Sequence, residues 1–550
     1  MSGCQECTPT MRSIARASGE QGDGDGKAYR GAVPVDMVSA SPVQLVAAAK
    51  TGPRLDRRWV TAALMLVMVL ASMEQTVTST AMPTIIGSLH GLEHYSWVAS
   101  IYLLACTVSM PLYGRLADSL GRKRIILFAI ALFSVSSLLA STSRSMPELI
   151  AYRGLMGLGA GGIMPVVLTI LGDIFTIEER ARIQGLFSGV WGTSSLAGPA
   201  LGWFLVVTLG WPAIFFVNLP FGLLGMLVLI RYYHDQEKPR SVDMDLPGIA
   251  LLGVGCMTLL MLVSRLGPGG WPINVSLSLA ATSAIATIFF IINERQSANP
   301  IMPVHLLLDR SIGPSLLGSC MLGIGFLSLD TFVPLWVQGV RGGGPGSAAW
   351  VVTPVMFTWA ASGIVAAPLV VRWGFRNTSS LGSSIIAVGF VGLLLGTAFG
   401  VSKHALAAIL ALTGLGFGPS AMSFLLSAQN AVSWQRRGIV TSSVQFFRTA
   451  GGSMGIGILG ALFNIVTRPR LIGLESSGVT PASLLDPHAR AQLSPAILHW
   501  AGWIIDGGLH WVFIGMLAVA VLQLLVARMM PVHKAQHPLS RTQMAEAMVG

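Results

Sequence analysis

Fourteen apolar runs of membrane-spanning length follow one another along this chain, separated by short stretches of Gly, Pro and charge. They fall near 59–83, 96–113, 124–142, 148–172, 183–207, 212–231, 247–264, 275–293, 313–337, 348–371, 379–399, 405–427, 439–465 and 509–528. About 20 apolar residues carry a helix across a bilayer, so the succession predicts an all-α, multi-pass membrane protein. A soluble core cannot absorb these runs. Of the 550 residues, 53% are hydrophobic and 11% charged, whereas a single core stops growing at roughly 250–300 residues.

The few charges are ordered. Numbering the loops from a cytoplasmic N-terminus puts fifteen Lys and Arg in the inner loops and seven in the outer ones, as expected where cytoplasmic loops gather positive charge. The formal net charge of +11 thus reads as topology, with both termini inside a cell (plasma or inner) membrane. The basic residues form no single face for nucleic acid. Residues 1–57 lack the apolar h-region of a signal peptide and read as a flexible cytoplasmic tail, as do residues 529–550.

Most other chemistry is excluded or thin. Cys106, Cys256 and Cys320 lie inside apolar runs and read as inert thiols, while Cys4 and Cys7 form a lone CxxC. The His90/His94 and His533/His537 pairs have no supporting ligands, so no metal site is expected. No Walker loop and no catalytic constellation appears, so neither nucleotide-driven transport nor an enzyme is expected, and no cofactor. A channel lacks its filter-like repeat.

Several motifs resemble those of one family. Between the second and third runs lies GRLADSLGRKR, with Gly114, Asp118, Gly121, Arg122, Lys123 and Arg124 at defined spacing. Its glycines allow a tight turn, Asp118 can cap a helix start and the basic cluster marks the cytoplasmic side. This loop resembles the hallmark loop of the major facilitator superfamily. The resemblance implies that Asp118 and Arg122 latch the cytoplasmic face when the protein opens outward. SLAGPALGW in the fifth run is similar to an antiporter motif through Gly198, Pro199 and Gly202, with Ser194 and Trp203 where glycines are usual. Arg153 followed by Gly157 resembles the superfamily's intramembrane-arginine motif, with Met156 where glutamine is usual. GWPAIFFVNLPFG is similar to a segment of the fourteen-helix drug:proton antiporters through Trp211, Ile214, Phe215, Asn218, Pro220 and Gly222, although Pro212 and Ala213 depart. MEQTVTSTAMPTI resembles the same branch through Glu74, Thr76, Ala81 and Pro83, and QNAVSWQRRG and FFRTAGGS resemble its thirteenth helix.

The resemblance covers about 59–530 and implies the major facilitator fold. Two pseudo-symmetric six-helix bundles (58–231 and 311–528) would flank an inserted, peripheral helix pair with its linkers (232–310). VRWGFR (371–376) reads as a degenerate second copy of the loop motif, keeping Gly374 and Arg376 but with Val371 in place of the acid.

Intramembrane charge costs about 2.5–3.5 kcal/mol on insertion scales, which singles out Glu74, Asp330, Arg153 and Arg448. Burial pushes a carboxylate toward neutrality and a nearby cation pulls it back, so an acid that alternates between such environments can ferry a proton. Glu74 is the expected coupling acid, tuned by Arg153; the alternative is a structural ion pair. Asp330 is a second coupling group or a partner for a cationic substrate, and Arg448 a brace for its helix against backbone carbonyls. Trp191, Phe326 and Trp336, with Asp330, are the candidate cavity lining, open equally to a lipid-facing reading. The expected function is a monomeric, proton-coupled exporter of hydrophobic or cationic small molecules. An exporter or symporter of one endogenous metabolite or siderophore, and a transporter-like sensor or scaffold, are the alternatives.

Overall fold

The computed structural model describes residues 56–89, 95–175, 177–235, 245–264, 271–297, 300–302, 307–343, 345–475 and 494–531. Residues 1–55 with Cys4 and Cys7, residues 532–550, and the two histidine pairs lie outside them. Among the described residues the chain forms fourteen long helices and no strand. They are α1 Arg57–Leu89, α2 Tyr95–Leu120, α3 Arg122–Ser141, α4 Met146–Ile174, α5 Ile177–Leu209 and α6 Ala213–Tyr232, then α7 Leu246–Ser264 and α8 Ile273–Gln296. The second half holds α9 Ile312–Gly339, α10 (345–373), α11 (375–398), α12 Lys403–Asn430, α13 Arg437–Glu475 and α14 Pro495–Met529. Ten of the described helices are long and apolar enough to cross a membrane.

The two halves repeat one packing plan. In the first, α4 is wedged between α2 and α3: a side chain at Gly157 would run into the Tyr102 carbonyl, and one at Gly159 would come within 2.6 Å of the Phe133 amide. In the second, α12 is wedged between α10 and α11, where a Cβ at Gly414 would lie 2.5 Å from the Val355 carbonyl oxygen and one at Gly416 2.5 Å from that of Gly382. Lipid tails are as apolar as leucine, so such helices associate through close packing over small residues. Each half has its own buried core. One is built around Ile130, Phe133, Ile163, Val167 and Phe215, the other around Phe390, Leu410, Phe417, Phe513 and Ile504.

The repeat extends to the turn between each half's second and third helices. Gly121 (φ 95°) separates α2 from α3, and Gly374 (φ 78°) breaks the otherwise continuous Pro345–Ala398 into α10 and α11. Both backbones occupy a region that L side chains avoid. The degenerate VRWGFR copy therefore keeps the residue that makes the turn.

Between the halves, α7 packs on α8, α2 and α13. Met110 of α2, Phe290 of α8, Met302 and Phe446 of α13 form a small cluster on this seam. Ile273, Leu277, Ile285, Ile288 and Phe289 of α8 are exposed. Several helices run six or more residues beyond their apolar runs, and the largest difference is at the start of the last one. α14 begins at Pro495, fourteen residues before the apolar run near 509–528, because the Ser494 side chain caps it by accepting from the Ile497 amide and Pro495 fills the first turn. That extension draws Asp506 into the helix.

Candidate functional site

The two halves are tied at one end by the residues of the first loop motif. The carboxylate of Asp118, at the end of α2, accepts the backbone N–H of Gly438 (3.0 Å, Oδ1) and of Ile439 (2.8 Å, Oδ2). It thereby caps the N-terminus of α13, where the unpaired amides and the helix dipole favour an anion. Arg122 Nη2 donates to Asp118 Oδ1 at 3.1 Å, and its Nε lies 2.8 Å from Asp173 Oδ2 of α4. Asp173 also faces Arg437 of α13 at 3.7 Å, and Arg437 donates to the Gly172 carbonyl at 3.2 Å. Two acids and two arginines thus alternate across the seam.

Geometry admits this because α2 and α13 cross on glycine. A Cβ at Gly114 would overlap the Ser442 side chain and lie 2.6 Å from the Gly438 carbonyl oxygen. One at Gly438 would lie 2.5 Å from Asp118 Oδ1 and 2.6 Å from the Gly114 carbonyl oxygen. Lys123 serves a different joint: its amide donates to Asp235 (3.0 Å) and its Nζ to the Ile230 carbonyl (2.7 Å), fastening α3 to the end of α6. Arg124 is exposed.

A second charged site lies inside the first half. Arg153 of α4 pairs with Glu74 Oε1 of α1, donates from Nε to the Val98 carbonyl at 3.2 Å, and stands 4.5 Å over the Tyr102 ring. Thr78, one turn after Glu74, donates to the same Oε1 at 2.9 Å. Glu74 and Arg153 are each 2% exposed, and Glu74 Oε2 is buried with no hydrogen-bond partner among the described residues. Glu74 edges a cavity of about 10 Å³ bordered by Val77, Leu201, Ile214 and Phe221, room for at most one water. One oxygen is therefore committed to the arginine and the other is free to take a proton.

The remaining candidates fall in several places. Gly198 and Gly202 are buried on α5, which packs on α1 and on the α10–α11 unit of the other half; the side chains of Pro199, Trp191, Thr76 and Pro83 lie outside the described residues. Asn218 donates to Ser137 Oγ (2.9 Å), which donates to the Phe215 carbonyl (2.7 Å), while Gly222 leaves room for Ser134. With Trp211 edge-on to Phe215, this motif clamps α6 onto α3; Pro220 is exposed. In the second half Phe326 lies 4.6 Å from Trp359 and 5.7 Å from Phe417, centroid to centroid, and Asp330, one turn further along α9, is exposed. Trp336 is buried and donates from its indole to Asp506 Oδ1 at 2.7 Å. The Arg448 side chain makes no hydrogen bond or ion pair among the described residues. What braces α13 at this point is the Arg448 backbone carbonyl, packed against Gly323 of α9.

The sequence description of the Major Facilitator Superfamily matches residues 64–456. The chain belongs to that superfamily. Among its relatives, the multidrug transporter protein MdtP of Bacillus subtilis (strain 168) is 33% identical over 416 residues, 76% of this chain and 77% of that one. Multidrug resistance protein 3 of the same organism is 28% identical over 487 residues, covering 86% and 94%. The fold is shared with the human organic anion transporter MFSD10 (TM-score 0.57, 14% identity, 86% of this chain and 99% of that one). It is also shared with the proton:xylose symporter XylE (TM-score 0.53, 15% identity, 85% and 94%). As a member of this transporter superfamily the chain is read as a multi-pass membrane protein with two helical halves.

Two acids of these sites escape a reading of apolar runs. Asp173 stands just beyond the end of the fourth run, and its value emerges only when Arg122 and Arg437 converge on it. Asp506 falls outside the last run as its hydropathy delimits it. The Ser494–Pro495 pair, a capping residue followed by proline at the first helical position, was the signal that moves that boundary.

Proposed function

We propose that this protein is a proton-coupled secondary transporter that exports hydrophobic or cationic small molecules, working as a monomer in the cell membrane with both termini in the cytoplasm. The observation that carries the reading is the buried Glu74–Arg153 pair, with one carboxylate oxygen bound and the other without a partner. An acid held this way has two stable conditions, charged against Arg153 or protonated and released from it. Cargo and proton then compete for one state of the first half, which is antiport. The multidrug names carried by the Bacillus relatives support the cargo class, and the packing of α5, with Gly198 and Gly202 buried on it, against the second half supports a seam that rocks. In this reading the Asp118–Arg122–Asp173–Arg437 lattice closes the cytoplasmic side while the opposite side admits protons and releases cargo. Asp330 and Phe326 contribute to the cargo path, and Trp336 stands in its wall.

The test uses Glu74→Gln in proteoliposomes with an imposed pH gradient and ethidium as cargo. The variant is expected to lose gradient-driven accumulation while keeping ethidium binding and gradient-free exchange. Accumulation at the wild-type level would remove Glu74 from the coupling step.

A further inference from the structure

Arg448 follows Gly438 by ten residues on α13, about 15 Å along the axis at 1.5 Å per residue from the point where Asp118 caps that helix. In a hydrocarbon layer about 30 Å thick this depth is near the midplane, where transporters with repeated halves hold their cargo. The surrounding helix is enclosed: α2, α4, α7, α9, α12 and α14 pack on α13, and residues 438–446 are buried. Arg448 itself is half-buried, with no ion pair or hydrogen bond from its side chain among the described residues. None of its nitrogens is among the buried atoms that lack a partner, so the guanidinium reaches open space within a helix bundle.

A guanidinium does not deprotonate, and an uncompensated charge at this depth is costly. Arg153, the intramembrane arginine of the first half, is neutralised by Glu74; Arg448 has no such acid among the described residues. Its level relative to α9 follows from three contacts in parallel register: Arg448 with Gly323, Gly452 with Leu327 and Gly460 with Phe332. Asp330, seven residues after Gly323, therefore stands about 10 Å nearer the far end, and the Phe326–Trp359–Phe417 group lies at a depth between the two charges.

We infer that Arg448 is an anion-binding group of the transport path, receiving the carboxylate, sulfonate or phosphate of an amphipathic cargo whose apolar body lies toward Phe326. The inference extends the cargo class proposed above to amphipathic anions and zwitterions, and rests on the transport reading. A guanidinium is suited to this because its planar fork matches planar oxyanions with two parallel hydrogen bonds. A cargo carrying both charges would place its cationic end toward Asp330.

The full chain in nanodiscs of zwitterionic lipid is titrated with 2-naphthoate, 2-naphthalenesulfonate and the neutral 2-naphthamide while thermal unfolding is followed. Both anions are expected to raise Tm saturably, the amide is not, and Arg448→Gln is expected to abolish the response. Equal stabilisation by the amide, a wild-type response in Arg448→Gln, or no response of the wild type to either anion would overturn the assignment. Should Arg448→Gln fail to fold, Arg448→Lys keeps the charge but loses the fork and is expected to need about tenfold more naphthoate; an unchanged requirement overturns it as well. Gradient-driven ethidium accumulation by the wild type is measured alongside, so failure of the transport reading (no accumulation) and failure of the anion site (no Tm response) register separately.

Discussion

Asp118 and Gly438 are 320 positions apart in the chain, yet the carboxylate of the first caps the helix that begins beside the second, at 3.0 Å. The contact joins α2 of one half to α13 of the other. Removing a capping side chain costs about 0.5–2 kcal/mol, and here the loss falls on the seam between halves, not on one helix alone. Asp118→Ala is therefore expected to loosen this end while leaving each bundle folded. A cysteine at the buried Ser443, in a background whose own cysteines are replaced, reports the change. Its labelling by an impermeant maleimide should rise about fivefold for a loss of about 1 kcal/mol, and about twofold at the low end of the range. Unchanged labelling would mean that the cap does not hold the seam.

The same seam can be opened without touching a charge. A methyl group at Gly438 would lie 2.5 Å from Asp118 Oδ1 and 2.6 Å from the Gly114 carbonyl oxygen, distances that neither helix can accommodate without moving apart. Gly438→Ala should mimic Asp118→Ala in the labelling assay. Combining it with Gly114→Ala should add little, because both substitutions separate one crossing and neighbouring changes are not additive. Full additivity would mean that the two glycines act at different contacts.

Gly374 offers a test of the repeat. Its φ of 78° and ψ of 170° end α10, in a region that is essentially glycine-only and costs other residues about 1–3 kcal/mol. Gly374→Ala should lower the unfolding temperature of the intact protein, and Gly374→Asn should lower it as much, since asparagine's tolerance of positive φ belongs to the left-handed helical region and not to this extended one. An unchanged unfolding temperature in both variants would mean that the turn does not depend on this backbone conformation.

How far the sequence leads depends on whether an interaction is local. The helices follow from unbroken apolar runs, because length and hydropathy are properties of one segment. The turn at Gly121 and its copy at Gly374 are legible as well, since a glycine between two runs needs no partner to make the chain reverse. The Asp118 cap was visible only as one half of a contact: its spacing to Arg122 is local, but its other donors, the Gly438 and Ile439 amides, depend on where α13 starts. Asp173 and Asp506 lay hidden for the same reason. Each sits at the margin of an apolar run, where a boundary shift of a few residues decides between loop and helix, and each takes its partner from a distant helix. The brace foreseen for Arg448 rested on carbonyls with which its side chain makes no hydrogen bond among the described residues; its backbone, by contrast, is packed tightly against Gly323.

Trp336 and Asp506 make the one hydrogen bond among the described residues that joins α9 to α14 through an indole and a carboxylate, at 2.7 Å. Arg341 stacks over the same indole at 5.2 Å and donates to the Val401 carbonyl at 2.8 Å, so three segments meet on one tryptophan. A hydrogen bond to a charged acceptor contributes about 1.5–3 kcal/mol in soluble proteins, whereas interhelical bonds in a membrane average nearer about 0.6 kcal/mol. The buried indole and the stacked arginine favour the upper part of the membrane range, and a coupling of about 1–1.5 kcal/mol is expected. A double-mutant cycle of Trp336→Phe and Asp506→Asn, followed by unfolding in mixed micelles, measures it. Asp506→Ala should cost more than Asp506→Asn, because it leaves a buried N–H with no acceptor. Trp336→Phe should spare gradient-driven ethidium transport in proportion to the protein that remains folded. A coupling near zero, or a loss of transport with folding intact, would take Trp336 out of the wall and return it to the cargo path.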